Sequence, residues 1–63
     1  MNLTKREKTV SDMMLKGKSN AEISNELCIS VNTVKTHVAR VLKKENVKNR
    51  IQLITKQVNK NSK

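Results

Sequence analysis

This sequence of 63 residues has a formal net charge of +9, from 14 Lys and Arg residues against 5 Asp and Glu residues. It contains no aromatic residue and no proline, and its one cysteine and one histidine leave no internal disulfide and no zinc-ligand set. The composition favours one small all-helical domain with a core of Leu, Ile, Val, Met and Ala, and no metal or cofactor is expected.

The high positive charge points to a polyanionic partner, most often a nucleic acid. Proteins that bind single strands or RNA usually stack bases on aromatic side chains, which this chain lacks. Double-stranded DNA is therefore the expected partner. No apolar run approaches the roughly 20 residues of a membrane span and no signal peptide is recognisable, so we expect a cytoplasmic, nucleoid-associated protein without a membrane partner.

The first helix is predicted over residues 5–16. Thr4 and Glu7 form a capping box, in which each residue satisfies a backbone N–H of the other. Gly17 stands where a left-handed residue would end the helix. Glu7 has two alternative roles, the cap alone or also an ion pair with Arg50. The inward-facing residues are expected to be Val10, Met13 and Met14.

A second, shorter helix is predicted over residues 20–27. Ser19 and Glu22 form another capping box, and Ile23 and Leu27 lie one turn apart on the buried side. Residues 28–29 form a tight turn to the next helix. Cys28 is expected to be an inert, partly buried residue, with a redox sensor as the less favoured alternative.

The third helix is predicted over residues 31–44, with Ser30 as its cap. At about 100° per residue, its apolar residues fall on one arc; these are Val31, Val34, Val38, Val41 and Leu42. The opposite arc contains no acid and suits a DNA groove; it holds Asn32, Thr33, Lys35, Thr36, Ala39, Arg40 and Lys43. A short helix, a tight turn and a longer basic helix are typical of a helix-turn-helix unit.

The last helix is predicted over residues 50–59. Asn46 provides a left-handed turn, and Asn49 with Gln52 resembles a further cap. One face, formed by Ile51, Ile54 and Val58, is expected to meet the core, whereas Leu53 lies off that face and is available to a partner. The domain is expected to occupy residues 1–58, followed by a frayed basic tail over residues 59–63.

The sequence resembles the LuxR-type helix-turn-helix domain of FixJ/NarL response regulators and the stand-alone GerE type. The resemblance covers about Leu3 to Ile54 and rests on Gly-x-Ser-Asn-x-Glu-Ile from Gly17, followed by Ile-Ser-x-x-Thr-Val-Lys-x-His from Ile29. It implies four helices, dimerisation through the last helix, and base reading by the third. Ser11, Ser24 and Glu45 depart from the family pattern, where apolar residues are usual, and these departures bear on the core.

The resemblance, together with the helical wheel, identifies the expected DNA contacts. Base-reading residues are Lys35, Thr36, Ala39 and Arg40. Backbone contacts are Ser30, Asn32, Thr33, His37, Lys43, Lys44 and Lys48. The expected dimer interface is Ile51, Leu53, Ile54 and Gln57.

No catalytic set of residues is visible, so an enzyme is not expected. The leading hypothesis is a sequence-specific transcription regulator that binds an inverted repeat as a homodimer, with RNA polymerase as a further partner. One alternative is a protein that pairs with a larger LuxR-type regulator and modulates it. The other is a basic RNA-associated protein, which the absence of aromatic residues disfavours.

Overall fold

Four helices make up the fold in the computed structural model, which describes residues 3–61 and their side chains as far as residue 57. They are α1 (Lys5–Leu15), α2 (Asn20–Leu27), α3 (Val31–Lys44) and α4 (Arg50–Asn61). The predicted all-α, four-helix architecture is confirmed, and no helix among the described residues is long and apolar enough to cross a membrane.

Two boundaries differ from the prediction. The first helix ends at Leu15, one residue early, because Lys16 already serves as its C-terminal cap. The last helix continues to Asn61, two residues beyond the predicted end, since neither lysine nor asparagine interrupts helical hydrogen bonding at those positions. Of the expected tail, residues 62–63 lie outside the described part of the chain.

Reciprocal caps set the starts of α1 and α2, as predicted. The Glu7 backbone N–H donates to Thr4 Oγ1 at 3.1 Å, and the Thr4 N–H donates to Glu7 Oε1 at 3.0 Å. Ser19 and Glu22 repeat this exchange at 3.1 and 2.8 Å. Each pair satisfies two backbone donors that the helix itself leaves without acceptors.

The other two helices begin on single capping side chains. The Thr33 N–H donates to Ser30 Oγ at 3.1 Å, which starts α3. The Gln52 N–H donates to Asn49 Oδ1 at 2.9 Å, which starts α4. The Gln52 side chain reaches back one residue further than a reciprocal cap, since its Oε1 accepts from the Lys48 N–H at 2.8 Å.

Each turn between helices contains one residue with a left-handed backbone. Gly17 (φ 85°) and Asn46 (φ 60°) fill this role after α1 and α3, as predicted. Cys28 (φ 58°) fills it after α2, where its N–H donates to the Ser24 carbonyl. A left-handed backbone is unfavourable for cysteine because its Cβ crowds the following carbonyl. The sequence pattern contained no signal for this third position.

Among the side chains that the structure describes, six are fully buried and form a core that joins the four helices. It consists of Val10, Met14, Ile23, Val34, Val41 and Leu53. Helix α3, which is predicted to read DNA bases, packs on α1 and α2, and α4 packs on α1. This packing fixes α3 by its apolar side and leaves its opposite side to solvent.

The predicted orientation of α4 is wrong. Leu53 is fully buried, whereas Ile51 is 72% exposed. Because the helix has two apolar arcs, its own pattern does not decide which one meets α1. The arc with Leu53 does, and Ile54 is left half-buried at its edge. The side chain of Val58, the third residue of the face expected to meet the core, lies outside the described residues.

Candidate nucleic-acid interface

The outer arc of α3 is a continuous exposed surface without an acidic side chain. Lys43, which belongs to this arc, occupies the last turn together with Lys44, where positive charge is favourable to the helix dipole. The exposed positions that were predicted to contact DNA are Ser30, Asn32, Thr33, Lys35, Thr36, Ala39, Arg40, Lys43 and Lys48. The structure thus leaves nine of the eleven predicted contact residues exposed.

Two hydroxyl groups at the start of α3 are bonded to each other. Ser30 Oγ and Thr33 Oγ1 lie 2.9 Å apart, and Ser30 Oγ also accepts the Thr33 N–H. One hydroxyl proton is therefore used within the pair, and the other remains available. A single hydroxyl donor beside the N-terminus of a helix suits a phosphate oxygen.

Thr36 has no hydroxyl proton left for DNA, because that proton is already donated to a backbone carbonyl within the protein. Thr36 Oγ1 donates to the Asn32 carbonyl at 3.2 Å. What remains outward is a methyl group and an acceptor lone pair. These fit a thymine methyl group, or a donor such as adenine N6 or cytosine N4 in the major groove. Lys35, the preceding residue, adds a donor suited to guanine O6 and N7.

His37 is half-buried at the edge of this arc. Its Nδ1 atom is buried and has no hydrogen-bond partner among the described residues. An unprotonated Nδ1 avoids burying an unsatisfied N–H group, so the tautomer with the proton on Nε2 is favoured. In that tautomer the ring can offer only Nε2–H to a phosphate.

Lys44 has an internal partner that the sequence reading missed. Its Nζ lies 2.7 Å from Oε1 of Glu7, whose side chain is only 3% exposed. This ion pair joins the end of α3 to the start of α1. The Lys44 ammonium, followed by the Thr4 backbone N–H, holds the pKa of the Glu7 carboxyl below its ordinary value of 4.5. Lys44 therefore positions α3, and its charge is largely offset within the protein.

Arg50 does not pair with Glu7, so that alternative is wrong. Its guanidinium donates to Asn20 Oδ1 at 3.3 Å and to the Lys18 carbonyl at 3.1 Å. These bonds connect the start of α4 to the start of α2, across 30 and 32 residues of sequence. Such long-range contacts have no signature in local spacing.

A second cross-link ties α4 to the end of α3. Lys56 Nζ donates to the Glu45 carbonyl at 2.7 Å and lies 3.3 Å from its carboxylate. Glu45 thus ends α3 as a half-buried cap and gains a cation from α4. The family usually has an apolar residue where this chain has Glu45, and the ion pair with Lys56 accommodates the carboxylate at the surface.

An exposed apolar strip on α4 lies apart from the α3 arc. Ile51 lines a shallow groove together with Val47, Thr55 and the side chain of Lys56. Gln57, which was expected in a dimer interface, instead lines a different groove beside Leu3 and Lys8 of the α1 side. Of the four predicted interface residues, Leu53 is fully buried and cannot contact a partner, Ile51 is exposed, and Ile54 and Gln57 are half-buried.

Comparison with known proteins gives a family match over almost the whole chain. The family described as "Bacterial regulatory proteins, luxR family" matches residues 1–57. Spore germination protein GerE of Bacillus subtilis is 40% identical over 52 residues, which are 82% of this chain and 70% of that protein.

Longer regulators match over the same region. The transcriptional regulatory protein DesR of Bacillus subtilis is 44% identical over 54 residues, 86% of this chain and 27% of DesR. The probable transcriptional regulator ycf29 of Pyropia yezoensis is 44% identical over 59 residues, 94% of this chain and 27% of that protein. The chain thus spans about 27% of the length of DesR and about 27% of the length of ycf29.

Proposed function

Because this chain belongs to the luxR family of bacterial regulatory proteins, we propose that it regulates transcription by binding specific double-stranded DNA. In this proposal α3 enters the major groove. The observation that carries it is the exposed, acid-free arc of α3, held outward by a core on the helix's opposite side. Basic and amide groups on such a face match the phosphates and base edges of a duplex.

Within α3, the residues divide by what they can offer. Lys35, Thr36 and Ala39 lie on the middle of the exposed arc and are assigned to base edges. Lys35 offers a cation, Thr36 a hydrogen-bond acceptor and a methyl group, and Ala39 a second methyl group. Ser30, Thr33 and Asn32 lie at the helix start and are assigned to phosphates. Lys35 and Thr36 fall in the N-terminal half of the 14-residue α3, the half that helix-turn-helix proteins place against base edges.

The protein acts as a dimer on an inverted repeat in this proposal. A single small domain covers one half-site, and phosphate contacts alone give affinities of roughly 10⁻⁴–10⁻⁶ M. Pairing two copies places two reading helices about one DNA turn apart. The exposed strip at Ile51 offers a contact for a second copy, and Ile54 borders it.

The test of DNA reading is a selection of binding sites from random duplexes with the purified protein, followed by two variants on the selected site. Lys35→Ala is expected to reduce discrimination between the selected site and random DNA by about 1–3 kcal/mol. Lys43→Ala, at the end of the helix, is expected to weaken binding to both duplexes equally. Equal losses on both duplexes for Lys35→Ala would remove it from the base-reading set.

The same α4 strip also fits the alternative, pairing with a larger LuxR-type regulator. The exposed Ile51 side chain does not distinguish a second copy from a related domain. Analytical ultracentrifugation of the protein on its selected duplex separates the two hypotheses. Two copies on an inverted repeat support the homodimer, and one copy that binds cooperatively only when a related regulator is added supports the alternative.

A further inference from the structure

A basic groove between α1 and the second half of α3 combines cations that were predicted separately as base and backbone contacts. It has a volume of about 510 Å³ and is lined by Thr4 and Glu7 from the α1 side and by Arg40, Lys43 and Lys44 from α3. We call these five residues the α1–α3 groove. It lies next to the exposed arc, since Arg40 and Lys43 belong to both.

The charges in the α1–α3 groove do not cancel. Glu7 is its one acid, and that carboxylate is engaged by Lys44 Nζ at 2.7 Å and by the Thr4 N–H at 3.0 Å. Arg40 and Lys43 are exposed and make no salt bridge to any described residue. Two cations without an acidic partner therefore face a groove whose only negative charge is already neutralised.

This inference rests on the proposed function, because it extends the surface that contacts the duplex. We propose that the α1–α3 groove holds a phosphate of the DNA backbone beside the major groove that α3 occupies. Arg40 then neutralises a phosphate rather than reading a base, and the Thr4 end of α1 becomes part of the DNA-contacting surface. A planar guanidinium binds phosphate oxygens in a bidentate manner, which suits Arg40 to this task.

The charge and shape of the groove favour a phosphate over other partners. An acidic peptide would place carboxylates on the same cations, but it would have to compete with the duplex already held by the adjoining arc of α3. A backbone phosphate is brought to the groove by DNA binding itself. The α3 arc and the groove share Arg40 and Lys43, so one duplex can engage both surfaces at once.

The first experiment measures the salt dependence of binding to a random-sequence duplex. The double variant Arg40→Ala/Lys43→Ala is compared with Lys8→Ala/Lys16→Ala, which removes the same charge from two exposed positions outside the groove, one on α1 and one at its C-terminal cap. Each phosphate contact contributes about 0.9 to the slope of log K against log salt. The groove variant is expected to lose about one such unit relative to the control, and equal slopes for the two variants would overturn the proposal.

A second experiment identifies the phosphate directly. Single neutral methylphosphonate linkages are scanned along the selected duplex, with the parent protein and with Arg40→Ala. One linkage outside the reading positions is expected to weaken the parent several-fold and to have no further effect on Arg40→Ala. If every linkage that weakens the parent also weakens Arg40→Ala by the same factor, Arg40 contacts no phosphate and the proposal fails.

A third variant tests the α1 side without risk of unfolding. Lys5→Glu places a carboxylate on the exposed first turn of α1, a position that favours negative charge in the helix. Folding is therefore expected to be maintained while DNA affinity falls more than for Lys8→Glu, the same charge change at an exposed position of α1 outside the groove. Equal affinities for these two variants would contradict a duplex contact at the Thr4 end.

The outcomes separate this inference from the proposed function. If the parent protein binds no duplex, both fail together. If Lys35→Ala loses discrimination while Arg40→Ala/Lys43→Ala keeps the slope of its control, DNA reading stands and the α1–α3 groove is not a phosphate site.

Discussion

Cys28 shows how a single backbone angle can limit the stability of a small domain. Its left-handed φ of 58° places an ordinary L side chain where glycine is preferred, and its exposed thiol makes only a 3.9 Å contact with the Asn25 carbonyl. The prediction of partial burial is therefore wrong. The residue ends α2 through its backbone, and its side chain contributes little to packing.

Cys28→Gly is expected to stabilise the protein. The substitution removes a left-handed penalty of roughly 1–2 kcal/mol for L residues, offset in part by the greater entropy of glycine in the unfolded chain. A net gain of about 0.5–1 kcal/mol should raise the melting temperature by several degrees. Thermal unfolding followed by circular dichroism measures it, with Cys28→Ala as the control that keeps the strain. A melting temperature for Cys28→Gly at or below that of Cys28→Ala would contradict this account.

Glu7 gives stability a defined pH dependence. Its pKa is lower in the folded state than its ordinary value of 4.5, chiefly because of Lys44, so the folded state binds fewer protons. The stabilisation is therefore complete above that ordinary value and is lost as the pH falls through the lowered pKa. Glu7→Gln should be less stable than the parent at neutral pH, and the difference should shrink in acid.

Urea unfolding of both proteins between neutral and acidic pH measures this difference. Glu22→Gln is a partial control, because the lowered pKa of Glu22 comes from its Ser19 cap and depends little on an ion pair. Added salt should reduce the effect at Glu7 more than that at Glu22. A Glu7→Gln difference that stays constant with pH would show that the cap, rather than the charge pair, accounts for the stabilisation.

At the scale of the helix, α4 is fixed by Leu53. Its fully buried side chain belongs to the core that also contains residues of the other three helices. Leu53→Ala should destabilise the protein by about 2–5 kcal/mol, through lost burial and the cavity left behind. The exposed Ile51 provides the control, since Ile51→Ala should change stability by no more than about 0.5 kcal/mol. Urea unfolding of both variants tests the assignment, and similar stabilities would overturn the orientation of α4.

Helix boundaries were largely predictable because their signals are local. Two capping boxes, Thr4 with Glu7 and Ser19 with Glu22, indicate helix starts within four residues of sequence. Gly17 indicates a helix end. The exposed arc of α3 followed from the same kind of information. Its apolar stripe is regular enough to specify which side is buried.

The orientation of α4 and the partner of Lys44 were not predictable from such signals. Leu53 and Ile51 are both apolar, and only the packing of α4 on α1 decides which is buried. The Lys44–Glu7 pair spans 37 residues, and Arg50 was an equally suitable cation until the fold placed it against Asn20. Contacts between distant segments depend on the assembled fold.

At the scale of the whole molecule, we expect assembly on DNA to depend on the outer strip of α4. Ile51→Glu places a charge on a side chain that is 72% exposed and should leave the fold intact. If this strip joins two copies, the variant will bind the selected inverted repeat without cooperativity while keeping its affinity for a single half-site. Gel-shift titrations on both duplexes measure this, with Thr9→Glu as a charge control at an exposed position on α1 outside the strip. Unchanged cooperativity would place the dimer contact elsewhere.

The acidic residues of this protein are mostly occupied by its own groups. Glu7, Glu26 and Glu45 pair with lysines, and Glu22 caps α2. Each ion pair is neutral as a unit, so the long-range attraction to a polyanion comes from the excess of cations, a net charge of +9. We therefore expect duplex DNA to capture the protein non-specifically, so that it slides or hops along the duplex before α3 reaches its site. The excess of cations over carboxylates thus bears on how quickly a target is found, apart from how tightly it is held.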